Sequence, residues 1–400
     1  MVDLSVDFAG LKLKNPFIVA SSELTNTIEK IKKAEMLGAS AVSTKLCFLE
    51  VPFPSRPYHI FEQRTGFYSP SGDRLNVDQA QRLISKAKKE TKLVVIANMM
   101  GPGENVDGWA MLGKKLEEAG ADMLELNMSC PNVGFMAKQL GVDAPPELGA
   151  WLGQNPDLAR EVTRAVVESV KIPVMPKMTP EANTTVVAAE CYKGGAAAVS
   201  AINCPQSLPG VDIHNGGRPL YPSVRNQSFA GICGPWIRPL AYRHVAQIRM
   251  KVPELPVAGG GGLTTWRHVV EIIMYGATAV TFCTLFYRRG FEVIPSIERD
   301  LRKFMQQQGY KRLSDFRGIA LQYITTPDKV EYEDMLPKID SSKCNGCGIC
   351  TKMGHCRVLA MSEGKARLVI PSECSGCSVC YWLCPREAIT IVPREEAVNL

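Results

Sequence analysis

Tyr275-Gly276-Ala277-Thr278-Ala279-Val280-Thr281-Phe282-Cys283-Thr284 is the last of four copies of one pattern, and that recurrence decides the architecture. Leu37-Gly38-Ala39 leads into Ala41-Val42-Ser43-Thr44-Lys45. Ala119-Gly120-Ala121 leads into Met123-Leu124-Glu125-Leu126-Asn127, and Gly194-Gly195-Ala196 into Ala198-Val199-Ser200-Ala201-Ile202-Asn203. Each copy reads as a helix end, a glycine C-cap and a short buried strand. The distance from one glycine to the next leaves room for two βα units.

Further apolar runs fill those gaps. Phe17–Ala20, Leu93–Asn98, Val174–Lys177 and Leu255–Ala258 read as the odd strands. Amphipathic helical patterns separate strands, among them Val77–Glu90, Asp157–Val170 and Trp266–Met274. Eight short apolar strands alternating with helices predict an α/β fold, a closed (β/α)8 TIM barrel over residues 1–312. A doubly wound sheet is the alternative, and the four-fold recurrence favours the ring. Residues 313–340 have weak periodicity and read as a linker.

The tail, 341–400, holds eight of the fourteen cysteines. Cys374-x-x-Cys377-x-x-Cys380-x-x-x-Cys384, followed by Pro385, has the bacterial ferredoxin spacing. There, three thiolates grip one 4Fe–4S cluster and the fourth reaches the other. Cys344-x-x-Cys347-x-x-Cys350 forms a second run, with Cys356 beyond it. Two clusters are expected in a C-terminal bacterial-ferredoxin-like domain. Cys344, Cys347, Cys350 and Cys384 would hold one, and Cys374, Cys377, Cys380 and Cys356 the other. The gap before Cys356 is longer than the usual three residues, so its loop should bulge. Paired CxxC also suits zinc, but a zinc site stops at four ligands and has no use for a third cysteine at the same spacing. Disulfides need an oxidising compartment. No signal peptide and no membrane-spanning run is visible, so a cytoplasmic location is expected.

Four hundred residues, 46% apolar and 22% charged, suit a large core with a small appendix. The net charge of +6 is not gathered into a stripe, so no nucleic-acid partner is expected. The tail is too short for a good core of its own, and metal clusters stand in for one.

In a (β/α)8 barrel the C-terminal strand ends build the site. Here those ends carry Lys45, Asn98, Asn127, Lys177 and Asn203, a set suited to a flat polar heterocycle. Gly259-Gly260-Gly261-Gly262 read alone is a flexible turn, but its place after strand seven and before a helix favours a phosphate site. Lys45 and Lys177 at one mouth favour an anionic ligand, such as a reduced flavin charged near N1. Asn127-Met128-Ser129-Cys130-Pro131-Asn132 places a cysteine between asparagines, where a general acid/base and an amide-reading pair would stand. The plainer reading is a buried small hydrophobe.

That loop resembles the catalytic loop of dihydroorotate dehydrogenases. Pro176-Lys177-Met178-Thr179-Pro180 is similar to their Lys-Leu-Ser-Pro, and Phe229–Pro239 with the strand-seven glycines follows the same pattern. The double-cluster tail narrows the resemblance to the FMN and iron–sulfur half of the dihydropyrimidine dehydrogenase group. It implies FMN at the barrel mouth. Lys45 and Asn98 would contact the flavin, Lys177 would face its N1/O2 edge, and Ala20 and Ser21 would line it. Gly234, Gly260, Gly261, Cys283 and Thr284 would hold the phosphate. Asn76, Asn127, Asn132, Asn203 and Cys204 would face the substrate, and Cys130 would be catalytic. Three features depart from the pattern. Asn132 stands where dihydropyrimidine dehydrogenases usually have histidine. Cys204 replaces an expected threonine. The loop from Val133 to Leu152 is longer. His214, on the strand-six loop, reads as a solvated histidine.

The resemblance implies an oxidoreductase acting on CH–CH groups, which reduces an activated ring C=C of a small cyclic substrate, a pyrimidine such as uracil or thymine, or runs the reverse. No dinucleotide fingerprint is present. A partner flavoprotein subunit binding FAD and NAD(P) is therefore expected to feed electrons to the tail, in a hetero-oligomer. The alternatives are dihydroorotate oxidation, another conjugated cyclic substrate, or an electron-relay subunit.

Overall fold

The four glycine-led repeats become alternate strands of a ring in the computed structural model, which describes residues 2–49, 51, 59–63, 66–131, 149–220, 225–226 and 229–398. The chain divides into two units, Met1–Tyr323 and Ile324–Leu400. The ring strands are β1 (Phe17–Val19), β2 (Ala41–Ser43), β3 (Val94–Met100), β4 (Met123–Leu126), β5 (Val174–Pro176), β6 (Val199–Ala201), β7 (Val257–Gly260) and β8 (Ala279–Phe282). They run parallel in the order β5-β4-β3-β2-β1-β8-β7-β6. The two ends meet. Lys177 bridges Ser200, Ala197 N–H donates to Val174 O at 2.9 Å, and Met178 N–H donates to Ser200 O at 2.8 Å. The barrel is closed, and nearly every strand residue is buried, as parallel strands covered on both faces require.

The helices are α1 (Ile28–Met36), α2 (Val77–Glu90), α3 (Val106–Glu118), α4 (Pro156–Ser169), α5 (Thr184–Lys193), α6 (Arg238–Lys251), α7 (Trp266–Met274), α8 (Thr284–Arg289) and α9 (Ile294–Gln308). Their starts follow local chemistry. Asn105 and Asn155 accept hydrogen bonds from Gly108 N–H and Leu158 N–H, and Pro156 occupies the first turn of α4. Among the described residues no helix is long and apolar enough to cross a membrane.

A four-stranded antiparallel sheet was not foreseen. It orders Gln206–Ser207, Ala230–Cys233, Gly66–Ser71 and His59–Gln63, joining the β2–α2 segment to the β6–α6 segment. Both segments leave C-terminal strand ends, so this sheet belongs to the site's side of the barrel.

The expected linker is divided. Leu313 and Phe316 are buried in the barrel's core, Phe316 meets Phe304 edge-on at 5.9 Å, and Gly318 N–H donates to Ile273 O. Residues to Tyr323 therefore belong with the barrel. In the second unit, Met335–Ile339 pairs antiparallel with Ile389–Pro393, and Leu359–Ser362 with Lys365–Leu368. Its core is small: Val358, Leu359, Ala366 and Ile389 pack with Cys350 and Cys380.

Candidate active site

Glu125 sits inside the barrel at 2% exposure, in the middle of β4. A carboxylate there must be compensated. It accepts from Ser43 Oγ and from Asn98 Nδ2 at 2.5 Å, and Lys177 Nζ lies 3.7 Å away. An ionised carboxylate only accepts, so it fixes which end of each successive amide points inward. Asn98 turns its NH2 to Glu125 and its oxygen outward. Asn127 Nδ2 then donates to Asn98 Oδ1 at 3.1 Å. Ser129 Oγ donates to Asn127 Oδ1 at 3.1 Å and accepts from Asn203 Nδ2 at 2.9 Å. Asn203 Oδ1 accepts from Cys204 N–H at 2.8 Å. The result is a one-way relay from Glu125 to Cys204.

Lys45 and Lys177 are both buried, at 6% and 8% exposure, so neither is a solvated surface lysine. Each has a carboxylate. Lys45 Nζ lies 2.5 Å from Glu23 Oε1, whose other oxygen accepts from Tyr287 OH at 2.9 Å. Burial and the neighbouring Arg74 charge push Lys45 below its usual range, against the pull of Glu23. Arg74, also buried, donates to the Asp73 carbonyl and approaches Cys130 Sγ at 4.0 Å through its other terminal nitrogen. The Cys130 turn is closed by Ala150 N–H on Cys130 O. Gly149 (φ +63°) makes this possible, since a Cβ there would stand 2.4 Å from that carbonyl.

A cavity of about 170 Å³ opens at the mouth. Ala20, Ser21, Lys45 and Lys177 line it, with Asn127, Cys130, Asn203 and Cys204. Gly261, Cys283 and Thr284 line its other side, beside Gly262. Gly262 (φ +73°) packs so closely that a Cβ would lie 2.5 Å from Gly234 O, so this wall is bare backbone. Burial pushes Cys283 up to about 12, so it meets the cavity as a thiol. A buried cation pair, a polar floor and a bare-backbone wall fit an isoalloxazine carrying a ribityl phosphate.

Other expected residues stand elsewhere. Asn76 is exposed and caps α2. Its Oδ1 accepts from Gln79 N–H at 2.9 Å, and Gln79 Oε1 accepts from Asn76 N–H at 3.0 Å. It does not line the cavity, because its side chain is spent on the cap. Asn98 is fully buried beneath the floor and acts through Asn127. Gly234 and Gly260 are buried and do not line the cavity. His214 is exposed, its N–H bonded to Asp212. Asn132 and residues 133–148 lie outside the described residues. Sequence reasoning missed Glu23, Arg74 and Glu125. The sole signal was a glutamate inside an apolar strand, Met123-Leu124-Glu125-Leu126.

In the tail, the two cysteine runs fold alike. Gly346 and Gly348 have φ +74° and +70°, and Gly376 and Ser378 have φ +66° and +62°. Each pair brackets the second cysteine of its run. Cys344, Cys347, Cys350 and Cys384 line one cavity. Cys356, Cys374 and Cys377 line another, and Cys380 lies close enough to feel the charges of Cys374 and Cys377. Backbone N–H groups of Ala366 and Gly346 hold Cys344 below its usual range. Among the described residues, no three metal-binding side chains converge around a point. A cubane keeps its four ligands apart by its own width, and the two cysteine-lined cavities fit that donor set.

The family model for dihydroorotate dehydrogenase matches residues 3–305. That for a 4Fe–4S binding domain matches residues 368–390. The NAD-dependent dihydropyrimidine dehydrogenase subunit PreA of Escherichia coli (strain K12) is 30% identical over 361 residues, covering 87% of this chain and 84% of that one. The dihydroorotate dehydrogenase B (NAD(+)) catalytic subunit of Pyrococcus abyssi is 33% identical over 323 residues, covering 80% of this chain and 99% of that one. A (β/α)8 barrel with this mouth, joined to a 4Fe–4S domain, defines an oxidoreductase acting on CH–CH groups. The chain belongs to the dihydroorotate dehydrogenase family.

Proposed function

We propose that this chain reduces the ring C=C of a pyrimidine such as uracil or thymine, or runs the reverse, as one subunit of a larger complex. The observation that carries the reading is Cys130, set beside Arg74 on the same cavity as the fixed amides of Asn127 and Asn203. A pyrimidine's edge alternates carbonyl acceptors and N–H donors, which two asparagines match. Bound FMN supplies hydride transfer at its N5. Lys177 would face the flavin's N1/O2 edge, Lys45 its ring, and the Gly261–Gly262 wall with Thr284 its phosphate. Cys130 Sγ gives a proton to the ring carbon next to the one that receives hydride, or takes it in the reverse direction. Arg74 steadies the sulfur when it carries charge. Eight tail cysteines would hold two 4Fe–4S clusters: Cys344, Cys347, Cys350 and Cys384, which line one cavity, and Cys356, Cys374 and Cys377, which line the other, together with Cys380. The PreA relative is named as a subunit of an NAD-dependent enzyme, which supports a partner flavoprotein as the electron source.

A second reading rests on Arg74. A buried guanidinium on the cavity wall also suits a ring bearing a carboxylate, and so favours dihydroorotate oxidation. One experiment separates the readings. The purified protein is photoreduced without oxygen and mixed with uracil, thymine or orotate while flavin absorbance is followed. Reoxidation by uracil or thymine is expected. Reoxidation by orotate alone would move the assignment to dihydroorotate. Reoxidation by none would remove the pyrimidines and leave the electron relay or another conjugated ring.

A further inference from the structure

Cys204 and Cys233 meet across two strands in the wall of the cavity, and the proposed reaction gives Cys233 no part. Gln206 lies opposite Gly231 and Ser207 opposite Ala230 in an antiparallel register. Continued outward, the register sets Pro205 opposite Ile232 and Cys204 opposite Cys233. Ile232 N–H donates to Pro205 O at 2.8 Å, so the register does continue. Pro205 and Ile232 are thus the hydrogen-bonded pair, and Cys204 and Cys233 are the next, non-bonded pair. In such pairs the Cα atoms stand about 4.5 Å apart with both side chains on one face. A disulfide needs a Cα separation of about 4.4–6.8 Å. Both cysteines are part-exposed and both stand in the wall of the cavity.

We propose that Cys204 and Cys233 form a dithiol site that exchanges with small-molecule disulfides of the glutathione class and closes to a reversible cross-strand disulfide. The Cys204 sulfur attacks the disulfide RS–SR, forming a Cys204–S–SR bond and releasing one RS⁻. Cys233 then gives up its proton and attacks the Cys204 sulfur, breaking the bond to SR and releasing the second RS⁻. The protein loses two electrons and two protons, and the small disulfide becomes two thiols.

The surroundings assign the roles. A hydrogen bond from Cys233 holds the Cys204 thiol below its usual range, with help from the Lys177 charge and against burial. Cys233 is pushed well up by that same pairing and by burial, and its sulfur lies 3.7 Å from the Phe67 carbonyl. The Lys177 charge favours Cys204 as the attacking sulfur, which leaves Cys233 as the resolving one.

The test uses the full chain with its cofactors, incubated without oxygen in oxidised glutathione, alkylated, and mapped by peptide mass spectrometry. A Cys204–Cys233 linked peptide is expected, with loss of two titratable thiols and their return on reduction. In Cys233→Ser the linked peptide is lost and glutathione stays on Cys204. In Cys204→Ser, Cys233 stays unmodified. Failure of wild type to form the linked peptide while still folded would overturn the proposal. So would a link that forms only in denaturant, or one that joins Cys204 to Cys283 instead.

Discussion

Cys130 is held by neighbours that outlast its removal. The relay from Glu125 fixes Asn127 and Asn203 without using the thiol. Cys130→Ala should therefore bind substrate with KM within a few-fold of wild type and lose roughly 10²–10⁴-fold in kcat, the usual worth of a placed acid. Steady-state kinetics with the electron-donating partner checks this, and normal turnover would leave Cys130 as a packed loop residue. His244 offers a second residue-scale test, away from the site. Arg243 donates to its Nε2 at 2.7 Å, so its Nδ1–H donates to Thr184 Oγ1 at 2.7 Å, tying α6 to α5 as a neutral imidazole. Burial, with the Arg243 charge, pushes it down to about 4. An unfolded imidazole titrates near 6.5. Between those values the unfolded chain binds more protons, so this stability is full above about pH 6.5 and lost as pH falls toward about 4. His244→Gln should flatten that part of the Tm-against-pH curve, even if it lowers Tm throughout.

At the scale of elements, Asn76 shows how a motif and a helix start compete for one side chain. Its reciprocal bonds with Gln79 predict that Asn76→Ala costs about 1 kcal/mol of stability. Substrate KM should not move. A Tm series and a kinetic assay on one preparation test both halves, and a large rise in KM would return Asn76 to the substrate. The signature Asn76-x-x-Gln79 before an amphipathic run is legible in the sequence as a helix start. The ring strands were legible because glycine C-caps and apolar runs are local signals, and α2 and α7 fall where periodicity placed them. The sheet over the mouth was not. Gly66–Ser71 pairs with Ala230–Cys233, strands far apart in sequence, and neither shows a clean alternation. Glu125 was hidden for a related reason. A charge in a buried strand makes sense only once Ser43 and Asn98, on two other strands, and Lys177, just past the end of a third, are seen to surround it. The two cysteine runs were legible outright, since spacing is a property of adjacent residues.

The whole molecule separates two chemistries between two units, and each can be tested with the other intact. Anaerobically purified protein should contain one FMN and about eight irons per chain, from two 4Fe–4S clusters. About four irons, or zinc in their place, would remove the two-cluster assignment. Cys374→Ala should lose reduction by the proposed partner flavoprotein while flavin stays bound, because the residues lining the cavity that fits FMN all belong to the barrel unit. Loss of both together would mean that the tail is needed for the barrel to hold its flavin.

The relay from Glu125 has a stereochemical consequence. Its amides cannot exchange ends without setting oxygen against carboxylate, so the floor of the cavity reads a ring in one sense only. A ring turned over would meet acceptor with acceptor. For the reaction proposed, the same face of the ring then always looks toward Cys130 and the opposite face always toward the flavin. With thymine, the methyl-bearing carbon would become tetrahedral with a single handedness, set by one buried carboxylate beneath the floor of the cavity.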